Sequence, residues 1–160
     1  KLFVRIKIGQ TRDSFVVQFH IRKLHKEDAQ EISRIYAAIT RKAVDSDFKR
    51  VVEEHAVRDD EECFVAEHED KVVGFMISYI LTAGFGMTKS AWIATLGVDP
   101  NFMGMGIGAS LAKEIFKYYK TQGIENVYTS VRWDSTDMLS FFKTLGFDRS
   151  NFINLRKIIK

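Results

Sequence analysis

The chain has 160 residues, of which 46% are hydrophobic and 28% are charged, and its formal net charge is +3. This balance predicts one folded domain over residues 1–160 and excludes an intrinsically disordered chain. The small basic excess favours an anionic ligand, but the basic residues are scattered, so nucleic-acid binding is not expected. No apolar run approaches the roughly 18 residues of a membrane span, so no membrane partner is expected.

Cys63 is the only cysteine of the chain. An intrachain disulfide and a cysteine-built metal site are therefore excluded, and a reducing, cytoplasmic location is predicted. No two of the four histidines lie three or four residues apart, which is the spacing that a local metal site would need. The sequence therefore predicts a protein without a metal ion.

The first half of the chain alternates between strand-like and helix-like patterns. Apolar residues recur at every second position in the former and at every third or fourth position in the latter. The predicted elements are a hairpin with strands over 2–8 and 15–24, helices over 26–39 and 45–56, and a second hairpin with strands over 63–68 and 71–80. Residues 1–14 are predicted to be an extra N-terminal strand and turn.

The second half adds one strand–helix–strand unit. The predicted elements are a strand over 91–98, a helix from the glycines after Pro100 to Gln122, a strand over 126–131, a helix over 135–145 and a last strand over 152–159. Two strands joined through a helix lie parallel when they belong to the same sheet. The predicted fold class is therefore α+β, with a mixed, mostly antiparallel β-sheet flanked by about four α-helices.

Three glycines at alternating positions, Gly104, Gly106 and Gly108, stand where the long helix is predicted to begin. The first amides of a helix have no intrahelical partner and carry the positive end of the dipole, and glycines let an anion approach them. A Walker loop is excluded because Ala109 and Ser110 follow the last glycine, and the spacing of a dinucleotide fingerprint is one residue short. The pattern indicates an anion-binding loop, with a flexible turn at a helix start as the alternative.

Two segments in a characteristic order, LGVDPNFMGMGIGASLAKEI (96–115) and FFKTLGF (141–147), carry a resemblance to a known family. From about His20 onward the chain resembles the GNAT N-acetyltransferases. The resemblance implies acetyl-CoA as co-substrate, with its pantetheine held by the main chain at a strand end and its diphosphate wrapped by the glycine loop. The cofactor-binding residues that it implies are Leu96, Gly97, Val98, Met103, Gly104, Met105, Gly106, Ile107, Gly108 and Ala109.

The chain departs from the family pattern at three positions. Met103 stands where the loop usually begins with Gln or Arg, so diphosphate binding is expected to rest on backbone amides, with Lys113 or Lys117 nearby. Ser135 and Phe142 stand where the family often has Asn and a Tyr whose phenol protonates the departing thiol. Because a thiol has a pKa of about 8.5, thiolate can leave without a donor, and loss of the phenol is expected to slow transfer rather than abolish it.

The sequence does not identify a general base. Strand 91–98, on which some members of the family carry a glutamate base, has Thr95 as its only polar side chain. Without a base, deprotonation at pH 7 costs roughly 4.6 kcal/mol for a lysine side chain and roughly 1 kcal/mol for an α-amine, so an acceptor of low pKa is predicted. Candidates for the acid are Ser135, which is also a suitable N-cap of the last helix, Tyr128 and ordered water. Candidates for the base are Glu67, His68 and Asp134, each of which has a simpler explanation as a solvated hairpin or loop residue.

These features predict an acetyl-CoA-dependent N-acetyltransferase in which a primary amine attacks the thioester directly. The alternative is a non-catalytic acyl-CoA-binding or regulatory module on the same fold, suggested by Phe142 and by the carboxylate-free strand. The acceptor, whether small molecule, peptide or protein, is not identified. Few residues follow Phe147, so the acceptor side is expected to be open or to be completed by a second subunit of a homodimer. Aromatic residues that could line it are Trp92, Trp133, Phe85 and Tyr79.

Overall fold

Six strands and four helices make up the described chain. The computed structural model describes residues 2–8, 15–57, 63–82 and 88–159. The strands are β1 (Leu2–Ile8), β2 (Phe15–Lys23), β3 (Phe64–His68), β4 (Lys71–Leu81), β5 (Ser90–Val98) and β6 (Val127–Thr129). The helices are α1 (Ala29–Thr40), α2 (Ser46–Ala56), α3 (Ile107–Thr121) and α4 (Thr136–Thr144), with short 3-10 turns over Lys26–Asp28 and Pro100–Phe102 before α1 and α3.

The strands form one sheet in the order β1 to β6. Neighbouring strands from β1 through β5 are antiparallel, whereas β5 and β6 are parallel and are connected through α3. The predicted fold class, α+β with a mixed and mostly antiparallel sheet, is confirmed. The strand predicted over 2–8 is present as β1, while the turn predicted after it, over 9–14, lies outside the described residues.

Helices cover both faces of the first compact unit, which ends at Thr129. On one face, side chains of α1 and α2 bury Phe75 and Ile77 of β4. On the opposite face, the Tyr119 hydroxyl of α3 donates a hydrogen bond to Ser78 Oγ at 2.9 Å. Because successive strand residues point to opposite faces, Ile77 and Ser78 identify the α1–α2 face and the α3 face of the sheet.

A second compact unit begins at Ser130 and contains α4. The strand predicted over 152–159 is wrong, because residues 149–159 have no regular secondary structure. A strand needs a partner to be stable in water, and the described part of this unit offers a helix but no second strand. The apolar side chains of the segment are accordingly exposed, and these are Phe152, Ile153, Leu155, Ile158 and Ile159. A single domain over 1–160 stays a prediction.

A buried carboxylate ties the start of α1 to the sheet. Asp28 accepts hydrogen bonds from Arg22 Nη1 and Nη2 at 2.7 and 2.8 Å and from the His25 main-chain N–H at 2.8 Å. Arg22 also donates through Nε to Glu67 of β3 at 2.7 Å. Burial opposes ionisation of Asp28, but the bonds from Arg22 and His25 outweigh it, so the pKa of this carboxyl lies below its usual value.

We expect Asp28→Asn to lower the free energy of unfolding by about 2 kcal/mol at pH 7, since it removes charged hydrogen bonds from a buried site. A carboxyl whose pKa is lowered in the folded state stabilises the fold above its ordinary pKa of 3.8, and this contribution is lost as the pH falls further. Urea unfolding should therefore show a difference between wild type and variant that narrows below pH 4. Asp47→Asn, at an exposed position of α2, should change stability by less than about 0.5 kcal/mol. A difference that stays constant between pH 7 and pH 3 would contradict this account.

Candidate functional site

The parallel strands β5 and β6 run together for only three residues. Ala91, Trp92 and Ile93 pair with Val127, Tyr128 and Thr129, after which β6 ends while β5 continues to Val98. Residues 95–98 keep β4 on one edge, but no described strand pairs with the other edge of residues 94–98. Alternate main-chain N–H and C=O groups on that edge are therefore available to a ligand.

A β-bulge marks the point where the two strands separate. Ile77 pairs with Thr95 and Ser78 pairs with Ile93, so Ala94 of β5 has no opposite residue on β4. A bulge bends its strand and increases the local twist. Because Ala94 directly follows the last residue paired with β6, the bend and the end of pairing together open a gap between the strands.

The chain turns sharply from β5 towards α3. The main-chain N–H of Asp99 donates to Val73 O at 2.9 Å and closes the β4–β5 ladder. The Asp99 side chain then accepts a hydrogen bond from the Asn101 N–H at 2.8 Å, at the start of the 3-10 turn that Pro100 opens. These contacts place the glycine segment immediately beyond the open edge of β5.

Two of the three glycines adopt backbone angles that favour glycine. Gly104 has φ of 78°, and Gly106, the residue before α3, has φ of 69°. The Ser110 N–H donates to Gly106 O at 3.0 Å and closes the first turn of α3. The N–H groups of Ile107, Gly108 and Ala109 precede that bond, so they have no acceptor within the helix and, together with its dipole, can bind an anion.

Gly74 of β4 determines how closely α3 approaches the sheet. A Cβ atom at this position would lie 2.7 Å from Ile107 Cγ2 and 3.5 Å from Leu111 Cδ1. Ile107 and Leu111 are both buried, and they form the first contacts of α3 with β4. The absence of a side chain at Gly74 therefore fixes the position of the helix N-terminus. A lone glycine inside an apolar strand was the sequence signal for this close approach.

Packing explains Gly97 without reference to a ligand. A Cβ atom there would lie 2.6 Å from Phe75 Cε1 and 2.8 Å from Ile39 Cδ1, on the face that α1 covers. Its neighbours Leu96 and Val98 are half-buried. The three residues implied as pantetheine contacts thus lie on the open edge of β5, where only their main-chain groups are needed.

The side chain at position 103 and the nearby lysines add little to the anion site. Met103 is 53% exposed and has no hydrogen-bond donor. Lys113 is exposed, about 9 Å along the helix axis from Ile107. Lys117 lies a further turn away and pairs with Glu114 at 3.8 Å. Of the two lysines predicted to assist diphosphate binding, only Lys113 is near enough to the start of α3 to contribute. The main-chain amides therefore remain the main candidate donors to the diphosphate.

Comparison with known proteins assigns the chain to a family. The model of the Acetyltransferase (GNAT) family matches residues 29–147. The chain belongs to the GNAT family. It is 30% identical over 103 residues to a mycothiol acetyltransferase of Amycolatopsis mediterranei, covering 62% of the chain and 34% of that protein. It is 37% identical over 78 residues to the N-alpha-acetyltransferase RimI of Mycobacterium tuberculosis, covering 48% of each. The chain thus spans less than half the length of these curated relatives.

Solved structures share the fold. The aminoglycoside N-acetyltransferase AAC(6')-Iy in complex with CoA is 16% identical, with a TM-score of 0.74 over 88% of the chain and 94% of that structure. An aminoglycoside acetyltransferase from an uncultured soil metagenomic sample, in complex with sisomicin, is 22% identical with a TM-score of 0.74 over 89% and 97%. The likeness at these identities establishes a GNAT fold and leaves the acceptor open.

Of the catalytic candidates in the first unit, one lies near the gap and two do not. Tyr128 is on β6 and stacks on Trp92 with ring centroids 6.2 Å apart, one residue before pairing ends. Glu67 is on β3, two strand spacings or about 10 Å from β5, and is held by Arg22 and by His20 Nε2 at 3.2 Å. The neighbouring His68 contacts Gln18 O through Nδ1 at 2.7 Å. The geometry thus favours an ion-pair role for Glu67.

The remaining candidates belong to the second unit. Ser135 occupies the N-cap position of α4, although its hydroxyl makes no capping hydrogen bond within the described chain. Asp134 accepts a hydrogen bond from Arg132 Nε at 2.8 Å, which lowers the pKa of the Asp134 carboxyl and makes it a poorer base. Phe142 is buried and packs edge-on against Phe141 and Phe147, with centroids 5.3 and 5.0 Å away. Its position is that of a core residue of this GNAT chain.

Within the described residues, no three His, Cys, Asp or Glu side chains are grouped as metal ligands would be. None of the described helices is long and apolar enough to cross a membrane.

We expect Gly74→Ala to weaken acetyl-CoA binding and to cost about 1–3 kcal/mol of stability, because its methyl group would displace Ile107. The double variant Gly74→Ala/Ile107→Ala removes the obstructing Cγ2 atom. Relative to Ile107→Ala alone, the added alanine should therefore cost clearly less, in both urea unfolding and calorimetric titration. Equal costs in the two backgrounds would show that this contact does not position α3.

Proposed function

We propose that the protein is an acetyl-CoA-dependent N-acetyltransferase that acts on a primary amine. One observation carries the proposal: the open edge of β5 leads within a few residues to the unpaired amides at the start of α3. Main-chain groups that can hold an extended amide chain are thus followed directly by a site for its diphosphate. Membership of the GNAT family and relatives named as acetyltransferases support the same reading.

Backbone atoms rather than side chains would hold acetyl-CoA. The segment Met103 to Gly106 and the amides of Ile107, Gly108 and Ala109 would surround the diphosphate. Main-chain groups of Leu96, Gly97 and Val98 would pair with pantetheine. Acetyl-CoA supplies the activated acyl group, and an N–H of the open edge near Ala94 would stabilise the charge that develops on its carbonyl oxygen.

Transfer requires a neutral amine. Its nitrogen attacks the thioester carbon, a C–N bond forms, the C–S bond breaks with its electron pair on sulfur, and the amine proton passes to solvent or thiolate. The two carboxylates considered as bases, Glu67 and Asp134, are both held by arginine side chains. Tyr128 and Ser135 remain candidates for protonating sulfur. A low-pKa acceptor is therefore favoured, since it is already partly neutral at pH 7.

The relatives and structural neighbours are named for different acceptors. Relatives and neighbours are named for mycothiol, for aminoglycosides and for N-alpha-acetylation, so they do not select one acceptor. Such names do not favour the non-catalytic alternative. Both a homodimer and the cytoplasmic location inferred from the single cysteine stay predictions.

We expect Gly106→Gln to weaken acetyl-CoA binding by at least about tenfold, or 1.4 kcal/mol, because its side chain would enter the amide cradle. Gly123→Gln is the matched control, since Gly123 has nearly the same backbone angle, φ of 68°, at the other end of α3. Both variants should lose about 1–2 kcal/mol of stability through the strain of a left-handed residue. Calorimetric titration with acetyl-CoA should show weakened binding in Gly106→Gln alone.

Equal weakening in both variants would attribute the effect to stability and not to the cradle. Retention of wild-type affinity by Gly106→Gln would remove the amides of α3 from the site. If the wild-type protein binds no acetyl-CoA at millimolar concentration, the proposed function itself is wrong.

We expect an α-amine to be acetylated about 400-fold faster than a lysine side chain at pH 7 when the two bind equally, because that is the ratio of their neutral fractions. Thiol release can be measured with the peptide Gly-Ala-Gly amide and with Nα-acetyl-lysine amide. For the lysine compound, kcat/KM should rise about tenfold per pH unit from 7 to 9. A flat profile would reveal a general base. Acetyl-CoA binding with no thiol release on any amine would instead support the non-catalytic module.

A further inference from the structure

A row of aromatic side chains crosses the sheet beside the gap between β5 and β6. His55 of α2 stacks over Tyr79 of β4, with ring centroids 6.5 Å apart and planes at 21°. Tyr79 is the cross-strand partner of Trp92 on β5. Trp92 in turn stacks on Tyr128 of β6, at 6.2 Å and 23°. These four side chains, His55, Tyr79, Trp92 and Tyr128, are called the aromatic row below.

The aromatic row lies on the face of the sheet opposite α3. The side chain of Ser78 points towards α3, where it accepts a hydrogen bond from Tyr119. Tyr79, the next residue, therefore points to the other face, as its contact with His55 of α2 shows. A ligand on the aromatic row would therefore approach the gap from the face of the sheet opposite α3, on which α2 lies.

The aromatic row ends where the strands separate. Trp92 and Tyr128 are paired one residue before the last pair, Ile93 and Thr129. Ala94, the bulged residue at the start of the open edge, is two residues from Trp92, or about 7 Å along the strand. A molecule seated on Trp92 and Tyr128 therefore reaches the open edge without crossing a strand.

Burial separates these side chains from the core aromatics of the same sheet. Phe75 and Tyr119 are 0% and 1% exposed, as is usual for aromatic residues that serve only packing. Tyr79, Trp92, Tyr128 and His55 are all half-buried. The two stacked pairs, His55–Tyr79 and Trp92–Tyr128, lie side by side because Tyr79 and Trp92 are cross-strand partners. Part of each ring is therefore accessible to a ligand on this face of the sheet.

We propose that the aromatic row is the acceptor platform, and that the acceptor carries its primary amine beside a ring that stacks on Trp92 and Tyr128. This inference rests on the proposed function and adds the chemical class of the acceptor. Amino sugars and aromatic amines share that chemistry, whereas an extended lysine side chain offers no ring face. Stacked or edge-on rings gain about 0.5–1.5 kcal/mol beyond the area they bury.

The test compares three probe amines, D-glucosamine, benzylamine and n-butylamine, with wild type, Trp92→Ala and Tyr128→Leu. For each probe, kcat/KM of a variant is divided by kcat/KM of wild type at the same pH. The neutral fraction of the amine is the same in both measurements, so its pKa does not affect this ratio. Trp92→Ala should lower the ratio about 2- to 12-fold more for a ring-bearing amine than for n-butylamine, mainly through KM. Trp92→Phe should recover most of the loss. The probe with the larger loss shows whether a sugar or an aromatic ring is preferred.

Tyr118→Leu is the matched control, because Tyr118 is half-buried on α3 near the helix end remote from its amides. It should leave all three ratios near one. Acetyl-CoA affinity, measured separately, should stay within twofold of wild type in every variant. If Trp92→Ala fails to fold, Tyr128→Leu is compared as the ring-amine loss divided by the n-butylamine loss, because loss of a proton donor would slow all amines alike and cancels in that quotient.

Three outcomes would overturn the platform: equal losses on ring and chain amines, ring-selective loss in Tyr118→Leu, or no acetylation of any probe by wild type that binds acetyl-CoA. If the wild-type protein binds no acetyl-CoA, the proposed function itself is wrong, and the acceptor platform is wrong with it.

Discussion

The candidate site depends on the early end of β6. If β6 paired with β5 along its whole length, both edges of β5 would have their hydrogen bonds satisfied, and the sheet would offer nothing to a ligand. Pairing instead stops at Ile93, and the bulge at Ala94 bends β5 at the same point. The main-chain groups of the next residues are left on an edge that is held rigidly by β4, so they are oriented before any ligand arrives.

A second constraint connects this edge to the helix amides. Gly74 allows α3 to start against β4, and Gly97 allows Phe75 and Ile39 to pack against β5 from the other face. The two glycines lie on adjacent strands near the same end of the sheet. If either glycine carried a side chain, the helix packed against it, α3 at Gly74 or α1 at Gly97, would have to move away from the sheet. At Gly74 this would move the N-terminus of α3 away from the end of β5. The anion site is therefore a product of core packing as much as of its own loop.

Sequence patterns were reliable where structure is local. Helix periodicity and glycine positions predicted the element order and the loop before α3, because backbone angles and amphipathic faces depend on neighbouring residues. Residues 152–159 show the limit, since a short segment rich in apolar residues is typical of a strand but pairing requires a partner that the pattern cannot supply. The three-residue length of β6, the bulge at Ala94 and the aromatic row also depend on contacts between distant segments. Glu67 could be named as a base only because its bond with Arg22 is invisible in the sequence.

The proposed cofactor end uses main-chain groups, whereas the proposed acceptor end uses side chains. This difference determines which substitutions each end can tolerate. At the proposed cofactor end, main-chain amides would bind the diphosphate, so Met103 can replace a polar residue at little cost so long as the glycines and packing remain. At the proposed acceptor end, recognition would rest on the side chains of four residues from three strands and a helix. Substitution there changes a contact surface and leaves the backbone in place. Specificity is thus free to change while the means of holding the cofactor stays the same, as expected when new acceptors arise on one scaffold.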